Sequence, residues 1–154
     1  MAWMDRDKMR HASLTATATF DIDYREEPDL SVEEFIDVLR RSTLAKRRPI
    51  DEPERIRRML AHADITLCAR EPQGKLVGIS RAITDFSYCC YLSELAVDEA
   101  WQGRGIGAAL LRKTHERAGL GAKLILLSAP EAMSYYPRVG MEKAENAFMI
   151  PRKR

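Results

Sequence analysis

The sequence predicts an α/β fold of the α+β kind: one domain, built on a mixed β-sheet flanked by helices on both faces. Three observations carry that prediction. The hydrophobic period switches repeatedly between 2, as in strands, and 3.6, as in helices. Three consecutive strand-like segments are joined only by short turns, as antiparallel neighbours are. A glycine-rich turn then leads into an apolar helix, and the segment after that helix is continuously apolar, as a strand covered on both faces would be.

The 154 residues suit one domain with one sizeable core. Residues 1–13 read as an N-terminal arm and residues 14–154 as the domain. "TATATFDIDY" alternates and ends in Phe20 and Ile22, which predicts a first strand. In "DLSVEEFIDVLRRSTL" the apolar residues Val32, Phe35, Ile36 and Leu39 fall at helical spacing. Ser31 and Glu34 offer a capping box at its start. A second short helix follows "KRRPIDEP", with Asp51 as its expected N-cap, Pro53 in its first turn and Ile56, Met59 and Leu60 as its buried stripe. "ITLCAR" and "KLVGISRAI" are strands joined by the turn "EPQG". "DFSY" turns the chain into a third, "CCYLSELAV". A helix over about 107–118 buries Ala108, Leu110 and Leu111. "AKLILLSAP" follows as the covered strand, "EAMSYYPRVG" as a short helix, and "MEKAENAFMIPR" as one or two closing strands.

Composition excludes several function classes. A net charge of +2 with well-mixed signs gives no electrostatic case for a nucleic-acid partner. No apolar run approaches the roughly 20 residues of a membrane span, and "MAWMDRDKMRHASL" has no apolar core to serve as a signal peptide. Cys68, Cys89 and Cys90 give neither a disulfide framework nor a metal spacing. They are expected as buried thiols in a cytoplasmic protein without a metal. His11, His62 and His115 are isolated and receive no role.

"WQGRGIGAALL" carries the chemistry. The first amides of a helix lack internal partners, and the helix dipole adds partial positive charge there, so a strand–glycine turn–helix junction is an anion site. Gly103, Gly105 and Gly107 would let the amides of residues 103–108, Ile106 and Ala108 included, approach phosphate oxygens. Gln102 and Arg104 would add donors. "GRGIGA" also fits the dinucleotide fingerprint. Against that reading, the motif lies two-thirds along the chain, the next strand ends in Ser128 rather than an acid, and only residues 108–154 remain for the rest of a doubly wound sheet. The lysine of a Walker loop is missing.

"LAVDEAWQGRGIGAALL" resembles the acetyl-CoA signature of the GCN5-related N-acetyltransferases (GNAT), with Gln102, Gly105 and Gly107 in its defining places. "AMSYYPRVGM" is similar to a second segment of that family, through Ala132, Tyr135, Tyr136, Arg138 and Gly140. The resemblance spans nearly the whole chain after residue 13. It implies a GNAT-like splayed sheet, acetyl-CoA as co-substrate and direct acetyl transfer to a primary amine. It implies Tyr136 as the acid that protonates the leaving thiolate, with Tyr135 as packing. It places backbone groups of Leu95, Ala96 and Val97 along the pantetheine arm, the Leu95 N–H holding the carbonyl oxygen. Where many members carry asparagine this chain has Ala129, so that contact to the pantetheine arm is either absent or replaced by Ser128.

Glu94, a carboxylate amid apolar neighbours on a central strand, is costly to bury unless used or paired. Alternation sets it on one face with Leu92 and Ala96. It is either the base or amine anchor of the reaction, or the partner of an arginine such as Arg81. Phe86, Tyr88, Tyr91 and Trp101 are candidate walls for the acceptor, with Asp85 and Glu94 to attract a cation. That mixture suits a small-molecule amine. The alternatives are a protein or peptide N-acetyltransferase, with the "STLAKRRPIDEP" loop lining its groove, and a non-catalytic acetyl-CoA-binding module. The oligomeric state stays open; in the family the sequence resembles, C-terminal strands often pair between two copies, which would give a homodimer.

Overall fold

In the computed structural model, which describes residues 21–153, five strands form one sheet in the order β1-β2-β3-β4-β5. They are β1 (Asp23–Glu26), β2 (Ile65–Arg70), β3 (Leu76–Thr84), β4 (Cys89–Val97) and β5 (Lys123–Ile125). The first four are antiparallel neighbours, and β5 joins β4 in parallel. Helices α1 (Val32–Arg41) and α2 (Pro53–Ala61) precede β2, α3 (Ile106–Ala118) separates β4 from β5, and the single turn α4 (Tyr135–Arg138) follows. No helix among the described residues is long and apolar enough to cross a membrane.

Two cores sandwich the sheet. Phe35, Val38 and Leu39 of α1 and Ile56 and Leu60 of α2 pack on Cys68, Leu76, Ile79 and Ala96. On the other face, Ile106, Leu110 and Leu111 of α3 cover Ile65, Leu67, Ala69, Val77, Ala82 and Leu92. Gly78 sets how close α3 can come. A Cβ there would stand 3.1 Å from both Ile106 Cγ2 and Leu110 Cδ1, so the helix rests on bare backbone at mid-sheet.

Ser31 caps α1 as expected, its hydroxyl accepting from the Glu34 amide at 3.2 Å. The Glu34 carboxylate does not close the box; it accepts instead from Arg70 at 2.8 Å. The arm at 1–13 and Phe20 lie outside the described residues, within which β1 spans Asp23–Glu26. Other expectations need correcting. α2 is capped by Glu52, not Asp51, without a side-chain bond. Ile106 rather than Ala108 fills the buried end of α3. Cys89 is exposed, whereas burial pushes the Cys68 thiol up to about 12.

The largest differences lie at the end of the chain. β5 is three residues long and is not covered on both faces: Ile125 and Leu127 are exposed. Residues 141–153 form no strand, and Phe148 and Ile150 stand almost wholly in solvent. The strands on which a homodimer would rest are therefore not formed within the single chain.

Candidate active site

The site begins with an irregularity in β4. Arg81 on β3 faces Glu94, but its neighbour Ala82 faces Leu92, so Ser93 is an extra residue, a β-bulge. A bulge reverses the faces of everything beyond it. Cys90 and Leu92 pack toward α3 before it, and Leu95 and Val97 do so after it. Glu94 and Ala96 turn to the face of α1 and α2. Glu94 thus shares a face with Ala96 but not with Leu92, contrary to simple alternation.

The phase of the ladder past the bulge decides which backbone groups are available. The Asp98 N–H donates to Val77 O at 2.8 Å. Counting back in twos, Ala96 and Glu94 turn their N–H and C=O groups toward β3, while those of Leu95 and Val97 turn away. Gln102 agrees with that phase, since its Nε2 reaches the outward Val97 carbonyl at 2.9 Å. On that outward side β5 pairs with β4 only from Cys89 to Tyr91. The sheet parts beyond Tyr91, and the outward backbone of Leu95 and Val97 lines the gap. Ala96, expected along the same arm, spends its amide on β3.

The glycine loop lies at the head of that gap. Gly103 and Gly105 sit at φ +76° and +80°, the left-handed region that opposes a side chain, and nothing lies within 4 Å of where a Cβ would stand. Gly105 begins α3 without a side-chain cap, and the first turn carries no acidic residue. The first bond within the helix is from the Ala109 N–H to Gly105 O at 3.0 Å. The amides of Ile106, Gly107 and Ala108 therefore have no partner within the helix and keep the dipole's partial positive charge. Arg104 lies 4.6 Å over the Trp101 ring. The Ile106 side chain belongs to the core, so only its amide can serve the site. Gln102 is engaged with Val97 and acts as a latch between strand and loop.

Gly107 has a different reason for being glycine. A Cβ there would stand 2.8 Å from the Tyr135 hydroxyl and 3.7 Å from Val97 Cγ2. Tyr135, expected only as packing, thus lays its phenol across the first turn of α3. Tyr136 stacks edge-on against it, with ring centroids 5.3 Å apart. Both rings are half-buried. Burial raises the Tyr136 pKa above the ordinary 10.0, so its phenol keeps its proton at neutral pH. Ser128 donates its hydroxyl to the adjoining Ala129 carbonyl at 2.7 Å.

Glu94 is 1% exposed, and both of its oxygens are held. Arg81 Nε donates to one at 2.5 Å, and Arg48 Nε donates to the other at 2.7 Å. The pairing with Arg81 that the sequence leaves open is present, and Arg48 joins it. Nearby, Asp98 caps the turn before the loop by accepting from the Ala100 amide at 2.9 Å, and it pairs with Arg41 at the end of α1. Burial opposes its ionisation, yet the Ala100 amide and the Arg41 guanidinium outweigh burial and hold its carboxyl below the ordinary carboxylate range.

The candidate acceptor walls do not gather. Trp101 lies under Arg104 at the head of α3, while Phe86 lies under Arg117 in the last turn of that helix. Thirteen residues at 1.5 Å each put these ends about 20 Å apart. Tyr88 is 80% exposed. Asp85 is consumed by its own turn: its Oδ1 accepts from the amides of Ser87, Tyr88 and Cys89, which holds its carboxyl at about 2. Sequence reasoning missed Arg48, Tyr135 and the bulge. The bulge had a signal, because the apolar residues Cys90, Leu92, Leu95 and Val97 step by two, three and two.

A family model described as an acetyltransferase (GNAT) domain matches residues 28–149. No curated protein matches the sequence. Among solved structures, the chain is similar to a GNAT family acetyltransferase from Streptococcus pneumoniae, at 16% identity and a TM-score of 0.65. That match covers 86% of this chain and 99% of the other. It is also similar to the aminoglycoside N-acetyltransferase AAC(6')-Iy in complex with CoA (16% identity, TM-score 0.66, 88% and 97% covered). A GNAT family N-acetyltransferase from Escherichia coli in complex with CoA has 22% identity and a TM-score of 0.61, with 80% and 69% covered. At these identities the structures speak for the fold alone.

Proposed function

The chain belongs to the acetyltransferase (GNAT) family of acyl-CoA-dependent N-acetyltransferases, and on that premise we propose that it transfers the acetyl group of acetyl-CoA to the primary amine of a small molecule. One observation carries the reading. The parting of β4 from β5 beyond Tyr91 opens directly onto a helix start with uncapped amides and two left-handed glycines. A long, amide-rich thioester with a diphosphate at its far end fits that combination.

In this reading the amides of Ile106, Gly107 and Ala108, with Gly103 and Gly105 clearing their approach and Arg104 adding charge, hold the diphosphate. The outward edge of Leu95 and Val97 pairs with the pantetheine amides as though it received a further strand. Bound acetyl-CoA supplies the thioester. The Leu95 N–H donates to the thioester oxygen as negative charge grows there. The Tyr136 phenol gives its proton to the departing sulfur, and the nitrogen, cationic after attack, returns a proton to the phenolate. Glu94, held by two guanidinium groups, anchors the bulge rather than taking a proton, and the amine sheds its proton to solvent before attack.

A small acceptor is supported by the loop between α1 and α2, which Arg48 ties to β4 on the side where a peptide groove would open. The similar aminoglycoside N-acetyltransferase has also been solved with the bisubstrate analog CoA-S-monomethyl-acetylneamine. The free thiols of Cys68, Cys89 and Cys90 agree with a cytoplasmic setting. Thiol release from acetyl-CoA, measured across a panel of small amines and peptides, tests the proposal. Release with small amines and not with peptides is expected; release with peptides alone would overturn it.

A further inference from the structure

Arg48 makes more contacts than an ion pair needs. Its Nε donates to Glu94 Oε1 at 2.7 Å, while a terminal nitrogen donates to the Ser93 carbonyl at 2.6 Å. Ser93 is the bulged residue itself. One planar guanidinium thus spans the carboxylate after the bulge and the carbonyl within it, a geometry that the single nitrogen of lysine cannot reproduce. Its other terminal nitrogen donates to Arg47 O at 2.9 Å, which fixes the fork relative to its own loop. The residue after Arg48 is Pro49, and a proline confines the residue before it to extended backbone. Arg48 has φ −131° and ψ 150°, so the loop presents the side chain from a restricted conformation. Arg81 holds the other Glu94 oxygen and ties α2 through the Met59 carbonyl at 3.1 Å.

We infer that Arg48 is a positioning residue for acetyl transfer: from the α1–α2 loop it clamps the Ser93–Glu94 bulge, and so fixes the direction of the Leu95 N–H two residues on. The inference rests on the proposed role of Leu95 as donor to the thioester oxygen. The two are linked by covalent geometry. A bulge can relax toward a regular ladder by shifting one residue, and such a shift reverses which amides face the gap. Without the clamp, the Leu95 N–H would spend part of its time turned away from the gap. The head of α3, where the diphosphate is proposed to bind, would keep its amides, because the hydrogen bonds of Arg48 go to Arg47, Ser93 and Glu94.

The test compares Arg48→Ala and Arg48→Lys with the unaltered protein. CoA affinity is measured by calorimetry, kcat and KM with an accepted amine, and amide hydrogen exchange at residues 93–95. The expected result is a kcat lower by about 10- to 100-fold, the scale of a displaced reacting geometry. CoA affinity should fall by clearly less than kcat, because the diphosphate contacts at the head of α3 remain while those of Leu95 and Val97 weaken, and exchange at Glu94, whose amide faces β3, should be faster. Added guanidine should restore part of the lost rate in Arg48→Ala, and Arg48→Lys should not restore it. An unchanged kcat in either variant, or a rate loss matched by an equal loss of CoA affinity, would overturn the inference. Should Arg48→Ala not fold, Arg48→Lys, which keeps a charge beside Glu94, is read by the same criteria. Failure of the unaltered protein to acetylate any amine would instead refute the proposed function.

Discussion

Replacing Gly105 by asparagine separates the two reasons for a glycine at the head of α3. Its φ of +80° disfavours a Cβ, while nothing in the protein lies within 4 Å of where that Cβ would stand. Alanine would meet only the backbone penalty, about 1–2 kcal/mol. For a domain of this size that lowers Tm by about 2–8 °C. Asparagine tolerates left-handed backbone far better, so Gly105→Asn should lose much less stability. Its side chain would nevertheless stand in the open space over the amides of the first turn. If a diphosphate belongs there, one charge-assisted hydrogen bond is lost, worth about 1.5–3 kcal/mol. At 1.4 kcal/mol per decade, CoA should bind about 10- to 100-fold more weakly. Gly74 supplies a matched control: its φ is +93°, its Cβ direction is equally open, and it lies in the β2–β3 turn. Gly74→Asn should show a similar small change in Tm with unaltered CoA affinity. Calorimetric titration and thermal melts on the three proteins decide the matter. Equal CoA affinity in Gly105→Asn and the unaltered protein would refute the reasoning.

Three further outcomes follow from the same geometry. Tyr136→Phe should lower kcat by about 10²- to 10⁴-fold while CoA affinity holds, because it removes a proton donor and no binding group; full activity would assign the acid elsewhere. Glu94→Gln leaves two guanidinium groups facing a neutral amide, a change of about 3–5 kcal/mol in stability when a buried pair is broken. Urea unfolding measures it, and a loss below about 1 kcal/mol would contradict the ion-pair geometry. The rate at low amine concentration should rise about tenfold per pH unit through neutrality, because the free-base fraction of an amine with pKa about 10.4 does so. Tyr136 must be protonated to act, and burial raises its pKa, so its loss limits the rate only above about pH 10. A plateau beginning near pH 7 would show a base in the site and return Glu94, or another group, to that role.

The strands β2 and β4, the glycine turn into α3 and the order of the elements up to α4 were legible because each rests on local information. Ile65–Arg70 and Cys89–Val97 are apolar runs bounded by turn residues, and Gly103 and Gly105 are needed by the backbone where they stand. What failed depended on partners distant in sequence. Of two adjacent tyrosines one is expected to pack, yet the reason for Gly107 is the hydroxyl of Tyr135. Arg48 lies 46 residues from Glu94, in a loop with no periodicity to expose it. The alternation rule misplaced Leu92 relative to Glu94 because one inserted residue reverses a strand's faces. The closing strands expected at "MEKAENAFMIPR" are absent, because apolar residues such as Phe148 and Ile150 need a sheet edge to pair with, and within the described chain they have none.

Titrating ¹⁵N-labelled protein with CoA reads, amide by amide, what the bare amides at the head of α3 hold. The largest shifts should fall on Gly103, Gly105, Ile106, Gly107 and Ala108, with a second set on Leu95 and Val97 and no movement at Gly74. Saturable binding that leaves residues 103–108 silent and moves amides elsewhere would contradict the account.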